Sequence, residues 1–392
     1  MLKRSLSLLL CAVMFAGTLA FAGCGKKPFT TTASEEDIAK LNSLYAGKTA
    51  FFGEMHDHSD SGGRSDGKVA LKDWPTQVMQ PKDIDFAVIV DHRQSLHMRL
   101  PEWDSTKFVG GTEPASYMTD EHVKSDSVHY NVILDDPDKQ DALFQSLPEY
   151  KYGPDSKVPN LNTIRYPDIS IERLREVAAK TLEMGGFFVH VHPLFLSYMQ
   201  SDIVTDYWMG DYTGFEIYTA GSKNYLPSWP SNQKAYKTWV ELLNLGKKLY
   251  ATCGSDSHRE SNVNTLSTFY AESTDSKILL NLMRAGNFIA GPVGIRMAVG
   301  DTCTGGETDF TGKRLVVSVG DFHSQAYQAD HQYRLNVYNE KGLVFSQDLT
   351  GTDTVYYAID TTNCEYYRAE VYDVTGDYAF SVGNPIWNTK SN

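Results

Sequence analysis

Two short motifs place imidazole and carboxylate side chains where they could share an ion. His56 and His58, in Gly53-Glu54-Met55-His56-Asp57-His58-Ser59, are two residues apart, and on extended backbone such residues point to the same side. Asp256 and His258, in Gly254-Ser255-Asp256-Ser257-His258, repeat that spacing. Asp91-His92 and His192-Pro193 each follow an apolar run, and nine of the eleven histidines lie between residues 56 and 258. A mixed nitrogen and oxygen donor set without thiolate suits Mn, Fe or Zn and does not suit copper. Such ions lower the pKa of a bound water from about 15.7 to about 7 and so provide a hydroxide nucleophile at neutral pH. The chemistry these residues point to is hydrolysis.

The elements that must hold them are legible as patterns. From about residue 48 to 292, short apolar runs alternate with helix-period segments, which predicts an α/β fold. Strands are expected at Ala50-Phe51-Phe52, 86–90, 130–134, 187–189, 215–218 and 249–253. A helix is expected from Ser170, burying Leu174, Val177, Ala178 and Leu182 and closed by Gly185. A second is expected over 232–245, burying Tyr236, Trp239, Leu242 and Leu243, and a third over 278–285. In a parallel α/β barrel the C-terminal strand ends meet on one face, which would gather the histidines. After Pro292 the runs are short, β-branched and aromatic, at 314–319, 333–338, 354–359, 367–372 and 378–382. They predict a small antiparallel β-sandwich.

Taken in order, His56-x-His58, Ser65-Asp66-Gly67, Asp91-His92, Gly111-Thr112-Glu113, His192-Pro193 and Gly254-Ser255-Asp256-Ser257-His258 resemble the PHP (polymerase and histidinol phosphatase) superfamily over residues 48–292. The C-terminal region, ending near Gly383-Asn384-Pro385-Ile386-Trp387, is similar to the branch that includes carbaryl hydrolases. The resemblance implies a distorted (β/α)7 barrel holding two or three divalent ions such as Mn, Zn or Fe. It implies that His56, His58 and Asp256 hold a first ion, that Glu113 bridges it to a second completed by His129 and His192, and that Asp66, His92 and His258 hold a third. Glu113, Asp256 and His192 are read as the catalytic residues. The chain departs from the family at Glu54, where Asp is usual, and its longer 60–64 stretch lets Asp60 compete with Asp66. His122 competes in the same way with His129, His190 reads as a core residue, and Asp91 as the orienting partner of His92. Glu216 reads as a neighbour of the metals, and His97, His323 and His331 as surface residues.

Three divalent ions set against three carboxylates and one hydroxide leave a charge of about +2, which matches a phosphate monoester dianion. The expected function is therefore phosphoester hydrolysis. Arg93 and Arg259 are expected to bind the phosphoryl group, with Arg64 a third arginine beside the motifs. A carboxylic ester, carbamate or amide hydrolase on the same metals is the alternative, as is an inactive metal- or ligand-binding protein. Trp103, Trp208, Tyr212, Tyr225 and Trp229 are expected to shape the pocket rim.

Lys3 and Arg4, the apolar run from Leu6 to Ala22 and Phe21-Ala22-Gly23-Cys24 resemble the signal segment and lipobox of bacterial lipoproteins. The expected organisation is a signal segment over 1–23, a lipidated Cys24 and polar tether over 24–46, the barrel over 47–295 and the β-sandwich over 296–392. That organisation implies an extracytoplasmic protein anchored to a membrane through its lipid. The formal net charge of −13 opposes binding to nucleic acid and leaves a small-molecule phosphoester or ester as the expected partner. Cys253 reads as a core residue, while Cys303 and Cys364 read equally well as a disulfide or as free thiols.

Overall fold

The computed structural model describes residues 32–390 apart from 125–126, 159–160, 196–198 and 222–226. The signal-like segment, Cys24 and Tyr225 lie outside the described residues.

A curled, mixed sheet forms the centre of the α/β region. Thr49–Asp57 lies parallel to Phe86–Ile89, which lies parallel to Phe108–Thr112. Val128–Ile133 follows antiparallel to Phe108–Thr112 and to Phe187–His190. Gly214–Thr219 and Tyr250–Gly254 then continue parallel to Phe187–His190. A lone parallel bridge between Asp57 and Ser257 brings the two ends of this series together. Six of these strands run one way and Val128–Ile133 runs the other. An antiparallel neighbour can be reached by a short connection, whereas a parallel one needs a crossover. The connection to Val128–Ile133 carries the short strand Ala115–Met118, where Ala115 faces His129.

The expected strands are present, and strands that the sequence patterns did not disclose include Phe108–Thr112, Ser267–Ala271, Val293–Val299 and Gly342–Leu349. Ser267–Ala271 pairs antiparallel with Thr49–Asp57, so the sheet continues past that strand. Strict alternation of strand and helix also fails early in the chain. Between Thr49–Asp57 and Phe86–Ile89 there are only short helical turns over residues 71–82, and Leu96–Arg99 is a single 3-10 turn.

The three expected helices form as Ile171–Glu183, Pro230–Asn244 and Ser276–Arg284. Ser170 caps the first by accepting from the Arg173 amide. Leu174, Val177, Trp239, Leu242 and Leu279 are buried in the same apolar cluster as Phe86, Val88, Phe187 and Phe215 of the sheet. Each such side chain contributes about 1.5–3 kcal/mol on leaving water, so the scaffold around the strand ends is rigid.

Past Ser276–Arg284 no helix occurs among the described residues. Val293–Val299, Arg314–Phe322 and Val355–Asp360 pair antiparallel, with Arg314–Phe322 in the middle. Tyr333–Asn339, Gly342–Leu349, Tyr366–Asp373 and Tyr378–Gly383 form a second antiparallel set. This second set joins the curled sheet through Ile289–Ala290, where Ile289 faces Gly383. Ile295, Val317, Leu335 and Val371 from the two sets share one apolar cluster.

Part of the stretch expected to be a polar tether is folded. Glu35–Leu44 is a helix begun by a capping box between Ser34 and Asp37. Leu41 and Tyr45 are buried in the C-terminal apolar cluster, and Asp37 pairs with Arg314 at 2.5 Å. One apolar residue per turn was enough to dock this short segment once a β surface lay beside it. Cys253, Cys303 and Cys364 are free thiols.

Candidate metal centre

The strand ends bring the predicted residues to one edge of the curled sheet. His56 and His58 lie at and just beyond the end of Thr49–Asp57, which grows more buried toward that end. Asp91 and His92 follow Phe86–Ile89, Glu113 follows Phe108–Thr112, His192 follows Phe187–His190, and Asp256 and His258 follow Tyr250–Gly254. His129 is near the start of Val128–Ile133, and because that strand runs antiparallel its start lies at this same edge.

Glu113 is the hub. A parallel bridge between His92 and Glu113 extends the pairing of their strands and sets the two side by side. Glu113 Oε2 lies 3.1 Å from His58 Nε2, 3.4 Å from His56 Nε2 and 3.1 Å from His92 Nδ1. Its Oε1 lies 2.7 Å from His129 Nδ1 and 3.2 Å from His192 Nε2. Asp256 Oδ1 is 3.1 Å from His58 Nε2 and 3.6 Å from His56 Nε2. Asp66 Oδ1 is 3.1 Å from His258 Nε2 and 3.8 Å from His92 Nε2.

Three groups of donor atoms are close enough to hold metal ions: His56, His58, Glu113 and Asp256; His92, Glu113 and His129; and His58, Asp66, His92 and His258. Every predicted ligand except His192 is in at least one group, and His192 stands beside Glu113. The groups are not the separate sets expected, because His58 and His92 are each shared between two. Asp66 enters a group and Asp60 does not. The loop folds back to allow this, with Asp60 N donating to Val69 O and Lys68 N to His258 O. Gly67 permits the approach, since a Cβ there would stand 2.4 Å from His58 O. At Gly254 a Cβ would stand 2.3 Å from His56 Cβ, so only glycine lets this strand pass the histidine.

Buried carboxylates hold these ligands in place. Glu216 has one oxygen 3.1 Å from His56 Nδ1 and accepts with the other from the His192 amide at 2.7 Å. Glu54 accepts from Ser255 N at 2.8 Å and Thr265 Oγ1 at 2.9 Å. Burial pushes its carboxyl up to about 7 against those hydrogen bonds. Asp91 is not the partner of His92. It accepts from Ser59 N at 2.7 Å, from Ser59 Oγ and from Ser61 Oγ, and lies 3.1 Å from His97 Nδ1. Burial would raise Asp91, but His97 and these donors hold it well below the carboxylate range. His97 is thus a buried residue behind the site and not a surface one.

His323 is also buried, beside the carbonyl of Asp83, and His331 lies 2.6 Å from Asp373. His122 pairs with Asp206, and His190 is in the core with Nδ1 3.2 Å from Tyr207 O.

The electrostatics are those of a cation site. Burial would raise Glu113, yet His92, His129 and His56 outweigh it and hold the carboxyl well below its usual range. Burial would lower His58, yet Asp256 and Glu113 raise it to about 10. Burial would also lower His56, but Glu216 and Glu113 raise it. For His92 burial prevails over Glu113 and brings it down to about 4. Glu113 Oε2, His56 Nε2 and His92 Nδ1 are buried without a hydrogen-bond partner among the described residues, although they face one another. Lone pairs that converge without hydrogen bonds suit a shared cation. Asp57, between the two histidines, is in none of the groups, and burial raises its carboxyl well above the usual range. Arg93, His192 and Asp256 have positive φ of 64°, 31° and 48°, a conformation that costs non-glycine residues energy and gathers at functional sites.

The three arginines have different fates. Arg64 binds Asp155 through two hydrogen bonds of 2.7 and 2.9 Å. Arg93 donates from Nε to Ile164 O at 2.7 Å and stacks over Tyr166. Arg259 is exposed and lines a concavity with Asp66, Lys68, His258, Ser261 and Asn262. Trp208 and Tyr212 do not reach the rim. They precede Gly214–Thr219, at its opposite end, against Lys247 and Lys248. A more apolar concavity, lined by Tyr218, Cys253, Leu266, Tyr378 and Phe380, contains none of the grouped residues.

The chain matches no protein-family model and no curated protein. Among solved structures it is similar to Endonuclease Q in complex with a 27-mer duplex substrate carrying an abasic lesion at the active site. The identity is 12% and the TM-score 0.34, over 60% of this chain and 57% of that one. The match therefore spans little more than half the length of that chain.

Proposed function

We propose that this chain is a metal-dependent hydrolase whose substrate is a small phosphoester. The observation that carries the reading is Glu113, one buried carboxylate facing five imidazoles, with Asp256 and Asp66 on either side. His56, His58, Asp256 and Glu113 would hold one divalent ion, and Glu113, His129 and His92, with His192 alongside, a second. His58, Asp66, His92 and His258 would hold a third. Bound there, Mn, Zn or Fe ions would supply positive charge for a phosphoryl group and make a water acidic enough to ionise near neutral pH.

The residues of the chain do the rest. Glu216 fixes the His56 ring and the His192 backbone, so both are preorganised. Arg93 and Arg259, the residues after His92 and His258, would offer guanidinium groups to phosphoryl oxygens. The organisation proposed is a hydrolase barrel at 47–295 and a β-sandwich at 296–392, with Cys24 acylated and the enzyme held outside the cytoplasm at a membrane.

Hydrolysis of bis-p-nitrophenyl phosphate and p-nitrophenyl acetate, each with Mn, Zn or Fe added, tests the reading. Metal-dependent release from the phosphodiester at least tenfold faster than from the acetate is expected. Faster acetate cleavage would replace the phosphoester by a carboxylic ester or carbamate.

A further inference from the structure

Resting on the phosphoester reading, we infer that Tyr166 is a substrate-contacting residue, a neutral phenol that donates a hydrogen bond to a phosphoryl oxygen on the His129 side of the site. Its backbone is pinned on both sides of the ring. Ile164 N donates to Arg93 O at 3.0 Å while Arg93 Nε donates to Ile164 O at 2.7 Å, which ties the segment to the residue after His92. On either side, Arg165 N donates to Tyr150 O and Tyr117 N to Pro167 O. The ring is 6.3 Å from that of His129, and the Arg93 guanidinium lies 5.2 Å above it. The ring therefore stands beside His129, a member of one of the three ligand groups, with Arg93 over its face.

The hydroxyl itself is unused. Buried tyrosines elsewhere in this protein spend theirs: Tyr130 on Ser116 and Tyr150, Tyr218 on Ala379 O, Tyr366 on Asn244. Tyr166 has no hydrogen-bond partner among the described residues, and its oxygen is not among the buried unpaired atoms, so it remains accessible. A phenol stays protonated at neutral pH, and the proton stays on its oxygen throughout. Arg93, strained at φ 64° and stacked on the ring, adds a fixed positive charge beside that donor. The pair suits a tetrahedral oxyanion.

Tyr166→Phe keeps the ring and the stacking and removes only the donor. In the metal-loaded full chain, kcat/KM for bis-p-nitrophenyl phosphate is expected to fall about 10- to 100-fold. The inhibition constant of inorganic phosphate should rise, while metal content and melting temperature stay at wild-type values. Tyr166→Ala should lose further activity by releasing Arg93. Wild-type turnover with an unchanged Phe variant would overturn the inference and leave the hydrolase reading standing. If wild type hydrolyses no phosphoester, the hydrolase reading falls, and calorimetric binding of inorganic phosphate decides on Tyr166: equal affinity of wild type and Tyr166→Phe overturns it, and weaker binding by the variant supports it.

Discussion

Replacing Glu113 by Gln removes one negative charge and almost no volume. The carboxylate faces imidazole nitrogens at 2.7 to 3.4 Å, and the amide that replaces it has no charge and only one oxygen with which to hold an ion. At 3.1 Å and an effective dielectric of about 20, each unit-charge contact is worth about 5 kcal/mol before desolvation. Deleting one partner of a buried pair costs about 3–5 kcal/mol. Metal affinity should therefore fall at least about 100-fold, since each 1.4 kcal/mol is roughly a factor of ten. The assay is elemental analysis of wild type and variant dialysed against the same buffered free Mn or Zn, with circular dichroism as the control for folding. Loss of at least one ion per chain and a fall in kcat/KM of about 100-fold or more are expected. A folded variant with full occupancy and full rate would show that the carboxylate holds no ion, and the argument from its position would be wrong.

Other perturbations follow from the same geometry. His58→Ala touches two of the three groups and should lose more metal than His258→Ala, which touches one; equal losses by elemental analysis would contradict the shared arrangement. Asp91→Asn weakens the hold on Ser59 and Ser61 at the root of the Asp66 loop. It should reduce the occupancy of the Asp66 group while sparing that of Asp256, as read by stepwise metal titration. Arg259→Ala should raise KM for a phosphoester about tenfold, or ~1.4 kcal/mol, with metal content unchanged, and a KM equal to wild type would remove Arg259 from the site. Cys24→Ala should release the protein from membranes in a fractionation experiment, and partition like wild type would refute the lipid anchor.

Spacing alone made part of the site legible. His56 with His58, and Asp256 with His258, share a face because alternation along a strand is a local property of extended backbone. The apolar runs before them announced the strands for the same reason, and the helix faces of Leu174 and Trp239 followed from a period set within a few residues. What needs contacts between distant residues could not be read that way. His58 meets Asp256 across 198 positions of chain, and Glu216 reaches His56 across 160.

The strand before Glu113 contains Gly110 and Gly111 and gave little pattern, so the residue and its bridging place were found by its motif, while its contact with His92 was not. His97 and His323 look like ordinary surface residues until other segments cover them, and Asp91 turns away from its neighbour His92 toward Ser59, Ser61 and His97. The choice of Asp66 over Asp60 and the capture of Arg64 by Asp155 were likewise settled by how loops fold back on the strand ends. Residue types and short-range spacing thus determined which chemistry was present and on which side of each strand it lay. Strand order, register and loop return decided which groups stand close enough to share an ion, because those depend on pairing energies between segments far apart in the chain.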